Sequence, residues 1–93
     1  MTATKLSSRA QRWFTVADGQ RLRELRLQRG LAQEELADLA GVGLTTVARL
    51  ERQREAHCRT WTLARIAAAL GEQFATLKAV TTADYVTRSD TRR

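Results

Sequence analysis

The stretch QEELADLAGVGLTTVARLE, residues 33–51, places two short apolar patterns on either side of a glycine corner. Each pattern repeats at helical spacing, which predicts one helix over Gln33–Ala40 and another over Leu44–Arg52. Gly41 supplies the left-handed conformation that a sharp helix end requires. The second helix is therefore expected to cross the first steeply. The inward-facing residues of the two helices are Leu36, Ala37, Ala40, Val47 and Leu50.

The corner between these helices favours a helix-turn-helix. Ala37 lies one turn before the corner, and its small side chain lets the second helix approach, while Val42 fills the angle between the two. A helix of nine residues is about 13 Å long, a length that suits the major groove of DNA, about 12 Å wide. The outer face of the second helix is expected to carry Leu44, Thr45, Ala48 and Arg49.

Three further helices are expected around this pair. They run from an N-cap at Asp18 to Arg29, from Trp61 to Leu70, and from Phe74 to Val80. The polar residues Gln53–Arg59 are expected to form a loop. For residues 14–16 a helix and a short β-strand are both compatible with the pattern, since Phe-Thr-Val is β-prone. The fold class is therefore all-α, a compact five-helix domain.

The domain is expected to span residues 18–80. Residues 1–17 are predicted to be an N-terminal arm and residues 81–93 a flexible tail, because both ends lack sustained periodicity. Basic residues within these extensions are interpreted as an unstructured basic arm and tail. They are Lys5, Arg9, Arg12, Arg88, Arg92 and Arg93.

Composition narrows the classes of protein further. The chain has 93 residues, enough for one small domain, and one Cys with one His cannot form an internal disulfide or a structural zinc site. His57 and Cys58 are adjacent but point apart on an extended segment, so we expect neither a metal nor a cofactor. No apolar run is long enough to cross a membrane, and no signal peptide is evident, which predicts a cytoplasmic protein. Without a catalytic constellation, an enzyme is not expected.

The net charge of +6 favours a polyanionic partner, with nucleic acid ahead of membrane. The charge is unevenly distributed, with +5 in residues 1–30, −2 in residues 31–58 and +3 in residues 59–93. A positive face must therefore be assembled by folding.

The run GLAQEELADLAGVGLTTVARLE, with LRELRLQRG before it and LARIAAALG after it, resembles the Cro/CI-type (XRE) helix-turn-helix family of phage repressors and bacterial regulators. The resemblance covers about Gln20 to Leu77 and implies a lambda-repressor-like fold. The residues that match the motif of the family are Gln33, Ala37, Gly41, Val47 and Glu51.

The resemblance implies a role in DNA binding for one set of residues. Gln33 would bind a phosphate at the N-terminus of its helix, and Arg49 would bind the O6 and N7 atoms of a guanine. Leu44 would contact a thymine methyl. The residues implied to contact base edges are Gly43, Leu44, Thr45 and Arg49, and those implied to contact phosphates are Arg23, Gln33, Thr46, Arg52 and Arg54.

Other matching positions have structural roles in the family. The resemblance implies an ion pair between Arg26 and Glu51, and it assigns Ala37 and Gly41 to the corner. The chain departs from the family pattern at three positions. Ala32 and Gly43 stand where Ser or Thr often caps a helix, and Gln53 replaces the usual glycine.

These features predict a sequence-specific regulator of transcription, a repressor of the XRE type, that binds double-stranded DNA as a homodimer on a palindromic operator. The last helix, Leu27 or the Trp13–Phe14 segment could supply the dimer contact. One alternative is an antitoxin that also binds a toxin partner. Another is an adaptor that uses the same fold to bind protein, which an acidic outer face on the third helix would favour.

Overall fold

The computed structural model describes residues 13–80. Residues 1–12 of the expected N-terminal arm, which spans residues 1–17, and the whole tail expected for residues 81–93 lie outside the described residues. The elements, in chain order, are β1 (Phe14–Asp18), α1 (Gly19–Gln28), α2 (Gln33–Ala40), α3 (Leu44–Arg52), β2 (Glu55–Arg59), α4 (Thr60–Leu70) and α5 (Phe74–Leu77). The five helices of residues 13–80 confirm the fold expected from the sequence, with α5 shorter than predicted.

Local capping explains where the helices begin and end. The Asp18 carboxylate accepts a hydrogen bond of 3.0 Å from the Arg21 N–H, as its predicted role at the start of α1 requires. Ala32 offers α2 no side-chain cap, but the Glu35 carboxylate accepts from the Ala32 N–H at 2.7 Å, which supplies half of a capping box. Gly41, with φ of 71°, ends α2 in the left-handed conformation.

A two-stranded antiparallel sheet accompanies the five helices of residues 13–80. β1 pairs with β2 so that Phe14 lies opposite Arg59 and Asp18 opposite Glu55. Of the two alternatives for residues 14–16, the strand is therefore observed. The expectation of a loop over Gln53–Arg59 was wrong, because residues 55–59 pair with a strand about 40 positions earlier in the chain.

The helices and the sheet share one core. The apolar positions read from helical spacing are buried as expected, including Val47 and Leu50 of α3. The sheet adds Ala17, Ala56 and Cys58, which alternate along their strands with more exposed residues. The remaining large core residues are Leu22, Leu36, Leu63, Ile66, Leu70 and Leu77.

Gly19 joins the sheet to the C-terminal end of α3. Its N–H donates to the Arg54 carbonyl at 3.3 Å, and the residue is buried. A Cβ atom at this position would lie 2.0 Å from the carbonyl oxygens of both Leu50 and Gln53. Only glycine therefore allows α1 to begin this close to the end of α3.

We expect Gly19→Ala to lower the free energy of unfolding by about 3 kcal/mol or more, because the backbone of α3 must move to accommodate the methyl group. Denaturant titration followed by circular dichroism measures the change. Gly43→Ser is the matched control, since a Cβ there meets nothing closer than the Thr46 hydroxyl at 3.8 Å. The serine should cap α3 and raise stability by a few tenths of a kcal/mol. Equal destabilisation by the two substitutions would contradict this account.

Candidate nucleic-acid interface

The N-terminal end of α3 faces solvent. Gly43 is its N-cap, in extended conformation and without a side chain to bind the first backbone N–H groups. Leu44 is 46% exposed and Thr45 is also exposed, whereas Thr46 is half-buried. The leading end of the helix thus presents one apolar side chain and one hydroxyl side by side, as the sequence predicts.

A buried polar network holds the opposite end of α3. The Arg26 guanidinium forms two parallel hydrogen bonds to Glu51, Nε to Oε2 at 2.6 Å and Nη2 to Oε1 at 2.8 Å. Its Nη1 donates to the Leu31 carbonyl at 2.7 Å. The side chains of the pair are only 8% and 3% exposed. The ion pair that the resemblance implies is therefore present, and it links α1, the turn before α2 and the end of α3.

The same network includes Gln33. Its amide Nε2 donates to Glu51 Oε1 at 3.0 Å, so the carboxylate binds both Arg26 and Gln33. A primary amide carries two N–H donors, and one of them is used here. The side chain of Gln33 is thus oriented from inside the domain, while its residue remains partly exposed at the N-terminus of α2.

The hydrogen bond to Glu51 has the largest effect on the Arg26 guanidinium and raises its pKa above the ordinary value for arginine, against the opposing effect of burial. Arg26 is therefore charged at neutral pH. A charged group with this little exposure requires its partner, because an unpaired buried charge is costly.

Arg49 is not directed wholly outward as the sequence suggests. Its Nη1 donates to the His57 carbonyl of β2 at 3.0 Å, and the residue is half-buried. A guanidinium has five N–H donors, so this bond occupies one of them and ties the side chain to the sheet. Ala48, expected on the same outer face, is half-buried as well.

Cys58 follows His57 in β2, and its side chain is buried. Burial raises the pKa of its thiol, while the charge of Arg49 acts in the opposite direction. The thiol is therefore protonated near neutral pH and is a poor nucleophile. Its side chain belongs to the core, and His57 beside it is exposed. Within residues 13–80, no three His, Cys, Asp or Glu side chains are grouped as metal ligands.

Several exposed cations have no carboxylate or other hydrogen-bond partner among residues 13–80. Arg52 and Arg54 belong to this group and flank the C-terminal end of α3, and Arg23 belongs to it on α1. Arg29 differs, since it is paired with Glu72 at 2.7 Å. The full set of such cations is Arg21, Arg23, Arg52, Arg54, Arg59 and Lys78.

Arg65 is a residue that the sequence interpretation missed. Its Nε donates to the Ala40 carbonyl at 3.0 Å, and its guanidinium lies 5.5 Å from the centroid of the Trp61 ring. A cation at the C-terminus of α2 is favourable because the helix dipole is negative there. Arg65 thereby stabilises the corner at Gly41. No local pattern could have identified it, since Arg65 follows Ala40 by 25 positions.

The network at Glu51 predicts the outcome of a paired substitution. Glu51→Leu should lower the free energy of unfolding by about 3–5 kcal/mol, because it leaves the Arg26 charge buried without a partner. The double variant Arg26→Met/Glu51→Leu should be more stable than Glu51→Leu alone, since it removes that charge. Chemical denaturation of the single and double variants measures both values. If the losses of stability caused by Arg26→Met alone and by Glu51→Leu alone add up to the loss in the double variant, Arg26 and Glu51 act independently.

No helix within residues 13–80 is long and apolar enough to span a membrane. The family model described as "Helix-turn-helix" matches residues 22–77, which is more than half of the chain. No curated protein matches the chain significantly.

Solved structures give the same fold. The restriction-modification controller protein C.AhdI from Aeromonas hydrophila is 38% identical, with a TM-score of 0.58 over 62% of this chain and 86% of that one. SinR, a master regulator for biofilm formation solved in complex with DNA, is 29% identical, with a TM-score of 0.59 over 62% of this chain and 92% of that one. The hypothetical transcription factor NHTF from Neisseria is 28% identical, with a TM-score of 0.59 over 75% of this chain and 78% of that one. The chain therefore belongs to the XRE-type helix-turn-helix family of DNA-binding transcription regulators.

Proposed function

We propose that the chain is a sequence-specific regulator that binds double-stranded DNA as a homodimer on a palindromic operator. The observation that carries this proposal is the asymmetry of α3, whose buried end is held by Arg26 and Glu51 while its leading end exposes Leu44 and Thr45. A helix fixed at one end and exposed at the other is suited to enter the major groove with its N-terminal residues toward the bases.

The bases are read by α3 in this proposal. Leu44 contacts a thymine methyl group, and Thr45 with the backbone at Gly43 contacts adjacent base edges. Arg49 places the N–H groups that His57 does not use on the O6 and N7 atoms of a guanine. Its contact with β2 supports this role, because a guanidinium held from one side has fewer orientations to lose on binding.

Phosphates are bound by the surrounding groups. Gln33 donates its second amide N–H to a phosphate at the N-terminus of α2, where the helix dipole favours an anion. Thr46 contributes a hydroxyl from the first turn of α3. Arg23, Arg52 and Arg54 are exposed cations without an ion pair in the described part of the chain, and each binds backbone phosphate.

Two copies are proposed because a single domain of this size discriminates poorly between DNA sequences. A single module buries about 600–1,000 Å² on DNA, and few base contacts fit within that area. Two copies on half-sites about 34 Å apart read twice as many bases. The structural neighbours support a regulatory role, since one is a restriction-modification controller and another is a regulator solved with DNA. The antitoxin and adaptor alternatives, and the assignment as a repressor, stay predictions.

Binding should be sequence-dependent and sensitive to salt. We expect a duplex recovered by in vitro selection to bind at least about 10³-fold more tightly than a random duplex of equal length. The affinity for both should fall steeply with salt, because each phosphate contact releases counterions. Fluorescence anisotropy over a range of salt concentrations measures both effects. A flat salt dependence without preference for the selected duplex would refute DNA binding and leave the adaptor alternative.

Two substitutions distinguish a contact with a base from a contact with a phosphate. Arg49→Ala should remove the preference for one base pair, worth about 1–3 kcal/mol, whereas Gln33→Ala should weaken binding to all duplexes alike. Arg29→Ala is the control, because it removes the same charge as Arg49→Ala from a cation already paired with Glu72. If Arg29→Ala and Arg49→Ala change specificity equally, net charge and not base contact explains the effect.

A further inference from the structure

The two-stranded sheet has a second surface that neither the core nor α3 uses. Strand residues alternate between the two faces of a sheet, and Ala17, Ala56 and Cys58 are buried on the inner one. The opposite surface is called the outer sheet face here. Its residues are Phe14, Val16, Asp18, Glu55, His57 and Arg59.

One end of the outer sheet face is apolar and exposed. Phe14, which begins β1, is 53% exposed. Val16, in the middle of β1, is half-buried opposite His57. A large aromatic side chain in water loses the stabilisation that burial gives it, and neighbouring exposed apolar groups mark surfaces that bind another molecule.

The charges on the same face are separated along the strands. Asp18 and Glu55 lie directly opposite each other at one end, a like-charge pair that is unfavourable within a single sheet. Arg59 lies at the other end, opposite Phe14, about 13 Å from Glu55 along β2. Neither Glu55 nor Arg59 has an ion-pair partner among residues 13–80. Asp18 also caps α1, so Glu55 at the acidic end and Arg59 at the basic end are the charges of this face that the described fold leaves without a partner.

We propose that a second copy of this chain binds here, with the two outer sheet faces packed against each other about a two-fold axis perpendicular to the strands. The inference deepens the proposed function, on which its role on DNA rests. The axis reverses the strand direction in the second copy and places β1 over β1 and β2 over β2. Glu55 therefore lies over Arg59 of the partner subunit, with Asp18 on the neighbouring strand within reach of the same guanidinium, and symmetry repeats the contact. Val16 and His57 lie near the axis, and Phe14, which lies opposite Arg59 in its own sheet, is covered together with it.

This symmetry explains why the charges are arranged as they are. An isologous contact pairs residue i with residue j and residue j with residue i. A face with its acidic and basic groups at opposite ends is therefore complementary to itself only when the strands run in opposite directions. The like-charge pair Asp18–Glu55 then gains a guanidinium between its carboxylates. DNA is a poor occupant of this face, because the same two carboxylates repel phosphate.

The contact should be weak. Two strands of five residues cover about 17 Å by 10 Å, and even with Phe14 this is well below the roughly 800 Å² per partner of a stable complex. We expect dissociation in the micromolar range or above, and cooperative assembly on a palindromic duplex. Arg49 donates to the carbonyl of His57 on this sheet, so the strand that forms the contact is also bonded to α3.

A charge exchange tests the arrangement. Arg59→Glu and Glu55→Arg each place like charges against each other twice in the symmetric dimer, and each should weaken self-association at least fivefold, roughly what two surface ion pairs supply. The double variant Arg59→Glu/Glu55→Arg restores complementarity and should recover to within about twofold of the wild-type chain. The two positions are too far apart for an internal ion pair to explain recovery. Sedimentation equilibrium of the full chain measures the constants, and circular dichroism verifies that the variants fold.

Two further variants test the apolar end of the face and provide a control. Phe14→Ser should also weaken self-association, whereas Leu27→Ser, at an exposed leucine of α1, should leave it unchanged. A wild-type chain that is monomeric up to millimolar concentration, a double variant that fails to recover, or an effect of Leu27→Ser alone would each overturn the proposal. The single variants should also bind a selected duplex without cooperativity, yet bind the same duplex cut to one half-site as wild type does. If wild type binds neither duplex, the proposed function fails, and the sedimentation result still decides the interface.

Discussion

The position of α3 depends on one buried carboxylate. Glu51 binds the Arg26 guanidinium through both oxygens and also accepts from Gln33, so three segments that are distant in sequence meet at one charged group. A hydrophobic contact tolerates small shifts, but a buried ion pair loses much of its attraction when its geometry changes, while the cost of desolvating the charges remains. The pair therefore acts less as a source of stability than as a constraint on where the end of α3 can lie.

The sheet applies a second constraint to the same end. Gly19 brings the start of α1 against the carbonyl groups of Leu50 and Gln53, and β2 continues directly from the segment after α3. The C-terminal half of α3 is thus held from two sides, by the network at Glu51 and by the sheet. Its N-terminal end, at Leu44, has neither constraint and is exposed. This division supports the proposal that the leading residues contact DNA, since they can do so without disturbing the core.

Those parts of the fold that depend on neighbouring residues could be predicted from the sequence. Asp18 caps α1, Gly41 ends α2, and the apolar spacing of α4 follows from 3.6 residues per turn, all within a few positions. β2 could not be predicted with the same ease, because an isolated strand gains nothing until its distant partner is present. The alternation of Ala56 and Cys58 with polar residues was the signal for it, but the polar composition of the segment favoured a loop. Arg65 gave no local signal at all.

The unexpected strand also changes how Arg49 would recognise DNA. An arginine in water populates many rotamers, and ordering it costs about 1.5–2 kcal/mol. The bond from Arg49 to the His57 carbonyl already restricts the rotamers of the side chain in the free protein, so less entropy is lost when Arg49 binds a base. The bond also fixes the direction from which the guanidinium can approach that base. A loop in place of β2 would lack a carbonyl held in a defined position. The strand thus connects two features that the sequence treats separately, the side chain proposed to read a base and the surface proposed to bind a second copy.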